Sequence, residues 1–368
     1  MTSSSIVMVS AGFWPTVGGA ERQALELSAA LAARGHRVTV LTRRIGGLPT
    51  REEFRGVTIR RLPVLGSGAL DAFGFLFGAF SWLMLHWVEW DAVHAHLAGS
   101  PALAAALAGR RLGRPALVKL GGGRGIGELA ASSKTAWGRA KLRALHALRP
   151  RFLAVVEDLA DEAREFLGSV PIEVLPNGVD VQRFHPVGAA RKLALRAELG
   201  WDPDASVFLY TGRFSPEKRL PWFLSLWLKA AGSGALAVLV GDGPDRPAVE
   251  SDRVLVLPPR EDLSALYAAA DVFFLPSTSE GLSNALLEAM SSGLAILGSR
   301  VGGTAQTIHD ERTGLLFDRD DEEALKKAVR RLQDEAGLAA WLGASARAAC
   351  AARFSMDGVV SRLEELYH

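Results

Sequence analysis

The stretch that decides the fold is Val272-Phe273-Phe274-Leu275-Pro276-Ser277-Thr278-Ser279-Glu280-Gly281-Leu282-Ser283-Asn284-Ala285-Leu286-Leu287-Glu288. Four consecutive apolar residues fit a strand covered on both faces, as in parallel sheets. Pro276 and Gly281 mark a sharp loop. From Asn284 to Met290 the pattern reads as a helix, with Leu286, Leu287 and Met290 as its core side. The unit is strand, loop, helix.

The same grammar recurs along the chain. Strands are predicted at Ser5–Ala11, Arg37–Thr42, Val57–Arg61, Ala92–His96, Ala116–Leu120 and Phe152–Val156. A second series covers Val207–Thr211, Ala235–Val240, Val254–Leu257, Val272–Leu275 and Ala295–Gly298. Apolar strands alternating with helices predict α/β architecture with parallel sheets. A chain of 368 residues favours two such domains. The series restarts after Pro176-Asn177-Gly178, so the domains are set at 1–175 and 176–351.

Composition narrows the class. Hydrophobic residues are 49% and charged residues 22%, as in a folded protein. Cys350 is the single cysteine, which excludes an internal disulfide and a cysteine metal cluster and suits a reducing compartment. Ile6-Val7-Met8-Val9 reads as a strand, not a signal peptide. Residues 1–180 hold 21 Lys/Arg against 15 Asp/Glu, and the remainder 21 against 25. That balance speaks against a nucleic-acid binder and leaves a basic first half free to meet an anionic surface. The uncharged stretch Ala72 to Val88 is marginal for a membrane span and is expected as a helix buried on the first sheet.

Three clusters carry chemistry. Gly18-Gly19-Ala20-Glu21 lies between a strand and a helix, where backbone can approach a ligand and helix N–H groups can meet an anion. Gly212-Arg213 with Lys218 follows the first strand of the second series. Two cations in that loop can converge on a diphosphate, the arginine as a fork and the lysine as a mobile point charge. In the opening stretch, N–H groups at Leu282 to Asn284 can face a phosphate. Glu288 can take a ribose hydroxyl pair, and Glu280 a sugar hydroxyl. Asp202-Pro203-Asp204 and Asp318-Arg319-Asp320 are read as helix caps rather than metal ligands. Gly121 to Gly127 is read as a mobile loop, because no ribose-binding acid follows it at the dinucleotide spacing.

Together these residues resemble the retaining glycosyltransferases of family four, which have the GT-B fold. The match includes Gly18-Gly19-Ala20-Glu21, His94-Ala95-His96, Pro176-Asn177-Gly178-Val179-Asp180, Gly212-Arg213 with Lys218, Gly241-Asp242-Gly243-Pro244, Glu280 with Glu288, and Gly314-Leu315-Leu316-Phe317. The resemblance implies two doubly wound Rossmann-like domains facing across a cleft. The first would bind acceptor and the second donor, with the helix near 352–368 packing back on the first. Arg213 and Lys218 would hold the donor diphosphate, with Gly212 beside them. Glu288 would bind the ribose and Glu280 the transferred sugar. Gly281, Leu282, Ser283 and Asn284 would offer backbone to its hydroxyls and phosphate. Leu257 would lie against the base. Gly18 and Gly19 would close over the donor, and His96 rather than His94 would line the reacting centre.

The expected activity is transfer of a hexose-type sugar, with retention and without metal or other cofactor. The donor would be a nucleotide diphosphate sugar, UDP-sugar before GDP-mannose, and the acceptor a glycan or a lipid-linked molecule. A sugar-nucleotide 2-epimerase of this fold would need further acid/base carboxylates. A non-catalytic binder would not need Arg213, Lys218, Glu280 and Glu288 together. No acid lies between Glu128 and Glu157, while Lys134, Arg139, Lys141, Arg143, Arg149 and Arg151 fall there with Trp137, Leu142, Leu145 and Leu148. A basic helix with an apolar side over 134–151 suits an anionic membrane. The expected location is cytoplasmic, at the inner face of the membrane.

Overall fold

The computed structural model describes residues 3–16, 18–64, 68–248 and 251–368. It divides into two units, residues 1–178 with 356–368, and residues 179–355. The division falls inside Pro176-Asn177-Gly178-Val179-Asp180.

Unit 1 is built on β1 (Ser5–Val9), β2 (Arg37–Arg43), β3 (Arg51–Phe54), β4 (Val57–Leu62), β5 (Ala92–His96), β6 (Ala116–Lys119), β7 (Arg151–Ala154) and β8 (Ile172–Val174). They form one sheet in the order β3-β4-β2-β1-β5-β6-β7-β8. Every pairing is parallel except β3 with β4. The helices are α1 (Gly19–Ala33), α2 (Gly68–Leu85), α3 (Ser100–Leu112), α4 (Glu128–Ser133), α5 (Ala136–Leu148) and α6 (Glu157–Leu167). The chain leaves β1 towards β2 on one side and resumes at β5 on the other. The switch point of the sheet therefore lies between β1 and β5.

Unit 2 holds β9 (Ser206–Thr211), β10 (Ala235–Val240), β11 (Val254–Leu257), β12 (Val272–Leu275), β13 (Ala295–Ser299) and β14 (Leu315–Phe317). Its helices are α7 (Ala189–Leu199), α8 (Leu220–Ala230), α9 (Ser264–Ala269), α10 (Asn284–Ser291), α11 (Gly302–Thr307), α12 (Glu322–Asp334) and α13 (Leu338–Arg353). The sheet order is β11-β10-β9-β12-β13-β14, all parallel. Here the switch point lies between β9 and β12. Phe223 of α8 stacks on Phe274 of β12 at 4.1 Å, and both rings are fully buried.

The last helix, α14 (Met356–Leu366), belongs to unit 1. Val359, Val360, Leu363 and Tyr367 share one apolar cluster with Ala24, Leu27 and Leu31 of α1 and with Ile6 and Met8 of β1. Glu364 accepts from Arg34 at 2.8 Å and pairs with His36 at 2.9 Å. The Tyr367 hydroxyl lies 2.8 Å from Nδ1 of His94.

Two expectations need adjustment. Helix α2 is buried along one stripe only, through Phe75, Ala79 and Leu83, while Leu70, Phe73, Phe77 and Leu85 are exposed. A helix lying on a neighbour hides one face, and this sequence is apolar all round. No helix among the described residues is long and apolar enough to cross a membrane. In α5 the apolar side is taken up by the domain, because Gly138, Leu142 and Leu145 are buried. Its outward side carries Trp137, Arg139 and Arg143.

Candidate functional site

The loops that follow β9 and β12 flank the switch point of the second sheet, where doubly wound sheets bind ligands. After β9 the chain runs through Gly212 and Arg213 into a single 3-10 turn, Pro216–Lys218, and then α8. Phe214 anchors this loop with no exposure, and the Tyr210 hydroxyl donates to the Arg213 carbonyl at 2.9 Å. The Tyr210 phenol is pushed well up, first by burial and then by Glu280 and Glu217. Arg213 itself is exposed. No hydrogen bond or ion pair reaches its guanidinium among the described residues.

After β12 the chain enters Pro276 to Ser283. The carboxylate of Glu280 is ion-paired with the ammonium of Lys218 and accepts from the Ser277 hydroxyl at 3.0 Å. Thr278 N–H donates to the Glu217 carbonyl at 2.8 Å, a second tie between the loops. Ser283 caps α10, its hydroxyl accepting from Leu286 N–H at 3.3 Å. Gly281 and Leu282 are buried, and Asn284 is half-buried. Glu288 is only 6% exposed, one helical turn inside α10.

Leu257 closes β11, and its carbonyl accepts from Gly241 N–H at 3.1 Å. Its backbone acceptor is thus already engaged, while the half-buried side chain remains at the strand end. Gly212 and Gly241 meet at the ends of β9 and β10, where a Cβ on Gly241 would come 1.9 Å from the Gly212 carbonyl oxygen.

The structure adds Gly302 and Gly303 to this site. Gly303 N–H donates to the Glu280 carbonyl at 3.0 Å, and a Cβ on Gly303 would lie 1.8 Å from the Gly281 carbonyl oxygen. Helix α11 therefore supports the Glu280–Leu282 backbone at a distance only glycine permits. The signal was present as a glycine pair after a strand, the same signal read at Gly18-Gly19. Tyr267 is another addition. Its hydroxyl meets Thr211 at the end of β9 and the Ala285 carbonyl of α10 at 3.3 Å.

The aspartate pairs serve other ends than those expected. Asp202 accepts from Asp204 N–H at 2.9 Å in a turn before β9. Asp318 pairs with Arg300 and Asp320 with Arg219. The residue that caps α12 is Asp321, accepting from Ala324 N–H at 2.9 Å. Among the described residues no group of three or more His, Cys, Asp or Glu is placed to hold a metal ion.

In unit 1, Gly18 is the N-cap of α1, and Gly19 its first residue. Glu21 folds back over them; a Cβ on Gly18 would lie 2.2 Å from its Oε2. His96 ends β5 on the other side of the first switch point. It is 4% exposed and stacks on His94 with ring centres 4.9 Å apart. Burial and then the Lys119 charge hold His96 down to about 3. The loop Gly121 to Gly127, expected to be mobile, is tethered by the half-buried Glu128 and the buried Glu162. Gly121 and Ala98 N–H groups donate to Glu128 Oε1 at 3.0 and 3.3 Å, and Gly125 N–H to Glu162 Oε1 at 2.8 Å.

Residues 17–183 match the profile described as Glycosyltransferase Family 4, and residues 205–335 that of Glycosyl transferases group 1. A GDP-mannose-dependent alpha-mannosyltransferase of Mycobacterium tuberculosis is 30% identical over 91% of this chain and 89% of its own. A D-inositol 3-phosphate glycosyltransferase of Salinispora arenicola is 33% identical over 53% of this chain; the match spans about half of that relative, 49%. The solved sucrose-phosphate synthase of Thermosynechococcus elongatus superposes with a TM-score of 0.77 at 22% identity, over 99% of this chain and 98% of that one. The fold is GT-B, and the chain is a glycosyltransferase. It belongs to glycosyltransferase family 4.

Proposed function

We propose that the chain transfers a hexose-type sugar from a nucleotide diphosphate sugar to a glycan or lipid-linked acceptor, with retention and without a metal ion. The observation that carries this reading is the Lys218–Glu280 ion pair at the second switch point. It holds a cation and a carboxylate together at the ends of β9 and β12, with the exposed Arg213 in the loop of Lys218 and α10 beginning shortly after Glu280. As the diphosphate leaves, negative charge builds on its oxygens. Arg213, Lys218 and the α10 N–H groups would neutralise it. Each charged hydrogen bond is worth about 1.5–3 kcal/mol, so two or three supply several powers of ten in rate.

Glu288, buried on α10, would take the ribose hydroxyls, and the β11 end at Leu257 would face the base. Glu280 is committed to Lys218 and Ser277, which disfavours it as a nucleophile. Retention, which the family resemblance implies, would then proceed by same-face attack of the acceptor hydroxyl. The acceptor would bind in unit 1, where His96 stands at the strand ends. The relative from M. tuberculosis is named for GDP-mannose, and this weighs towards GDP-mannose over a UDP-sugar. Attachment to an anionic membrane would use the outward basic side of α5, in a reducing, cytoplasmic setting.

The test is a donor panel of GDP-mannose, UDP-glucose and UDP-N-acetylglucosamine with a lipid-linked acceptor pool. Transfer from GDP-mannose with retained anomeric configuration is expected. Epimerised donor without transfer would replace this reading by the 2-epimerase, and donor binding without turnover by a non-catalytic binder.

A further inference from the structure

The first sheet ends in a cluster of nitrogen atoms that the donor site does not use. Lys119 is the last residue of β6 and stands in register with His96, the last residue of β5. Register partners in adjacent strands point to the same face, and so does His94 two residues before His96. Tyr367 takes Nδ1 of His94 on that face. Nε2 of His94 and Nε2 of His96 are both buried without a hydrogen-bond partner among the described residues. Lys119 is only 7% exposed. No hydrogen bond or ion pair reaches its ammonium among the described residues.

A buried ammonium without a counter-ion is costly. Burial alone pushes Lys119 down to about 7, and no carboxylate offsets it. The acids in the neighbourhood are otherwise engaged. Glu128 and Glu162 accept backbone N–H groups and hold the loops after β5 and β6 together. Beside Lys119 on this face stand the imidazoles of His96 and His94, with Tyr367 on His94, and no carboxylate raises the Lys119 ammonium. A cation kept at the carboxyl end of a doubly wound sheet, beside an unpaired imidazole and a tethered glycine loop, calls for an anion from outside.

We infer that Lys119 and His96 anchor an oxyanion, phosphate or carboxylate, carried by the acceptor. This rests on the reading of unit 1 as the acceptor domain. The ammonium supplies the charge, and the neutral His96 ring donates from Nε2 when the proton is placed there. The pair lies in unit 1, read as the acceptor domain, so it would set acceptor choice rather than donor choice. It makes a neutral glycan a poor acceptor and an anionic one a good one.

The test follows lysine side-chain NMR signals in the full chain, with Lys119 and Lys218 assigned from Lys119→Met and Lys218→Met. At pH 7, inorganic phosphate should move the Lys119 signal towards its protonated position. His96→Phe should weaken that response several-fold. UDP or GDP should move Lys218 instead. A Lys119 response to phosphate alone assigns a phosphorylated acceptor; a response to acetate as well extends the class to carboxylates. No response of Lys119 to either anion overturns the inference. A Lys218 signal that ignores UDP and GDP counts against the donor site and leaves the anion site standing.

Discussion

Lys218 and Glu280 are 62 positions apart and form an ion pair that joins the loop after β9 to the loop after β12. Their side chains are 17% and 11% exposed, so neither partner is well solvated if the other is removed. Lys218→Ala or Arg213→Ala should cut turnover about ten- to a hundredfold, from a lost charged contact of about 1.5–3 kcal/mol. Glu280→Ala should lower transfer more than it lowers binding of free nucleotide. Steady-state kinetics beside calorimetric titration of UDP or GDP check both, and unchanged transfer in Glu280→Ala would remove the site's main support.

Gly303 is the clearest steric test of the loop. A methyl group there meets the Gly281 carbonyl oxygen at 1.8 Å, and backbone must move. Gly303→Ala should reduce transfer at least about tenfold and lower stability by about 1–3 kcal/mol, as overpacking does. Denaturant unfolding measures the second effect. Wild-type kinetics in this variant would show that the Glu280–Leu282 backbone does not position the donor.

The cations around the proposed diphosphate position replace a metal in this reading. Activity should therefore survive EDTA. Complete loss that magnesium or manganese restores would overturn metal independence.

Lys119 gives a signed pH dependence. Its folded pKa, about 7, is below the ordinary lysine value of 10.5. The unfolded chain then binds more protons between those values, and wild-type stability should rise with pH across that window. Below about pH 7 both states are charged and the full burial penalty applies. Lys119→Met should therefore stabilise the protein most at or below pH 7, with the gain shrinking towards pH 10.5. Melting temperatures of the two proteins across that range check it; a constant difference would contradict it.

On α5 and its flanks, Lys134, Arg139, Arg143, Arg149 and Arg151 are exposed, whereas Lys141 donates to Ser132. At about 1 kcal/mol per cation near an anionic surface, these supply at most roughly 5 kcal/mol. Binding should be reversible and salt-sensitive. Flotation with anionic liposomes at low salt should recover the protein, and high salt should release it. Equal recovery with neutral vesicles would exclude an electrostatic attachment through this segment.

What was legible in the sequence follows from burial. Every strand read from apolar runs is present; all but β11 lie inside a sheet, where parallel strands must be apolar on both faces. The strands that escaped notice are β3, β8 and β14, each at a sheet edge. Arg51-Glu52-Glu53-Phe54 is charged because it is solvated, and Ile172–Val174 and Leu315–Phe317 are only three residues long. In the site, Gly212, Arg213, Lys218 and Glu280 come from two loops that the structure brings together. Gly303 and Tyr267 were not found, since their roles depend on contacts between elements far apart in sequence. Lys119 reads as an ordinary strand-end lysine until its register with His96 is known. The aspartate pairs misled because their spacing fits a turn or a surface ion pair as well as a cap.

The return of residues 356–368 to unit 1 has a consequence for biogenesis. Residues 179–355 form an insertion within the other unit, and can complete their own sheet while synthesis is still under way. Unit 1, although translated first, must wait with the α1 face of its sheet uncovered until Val359, Val360, Leu363 and Tyr367 emerge. The second unit thus matures before the first. A nascent chain stalled short of Met356 would expose apolar surface on the half that was made earliest, and that half is the one chaperones would be expected to hold.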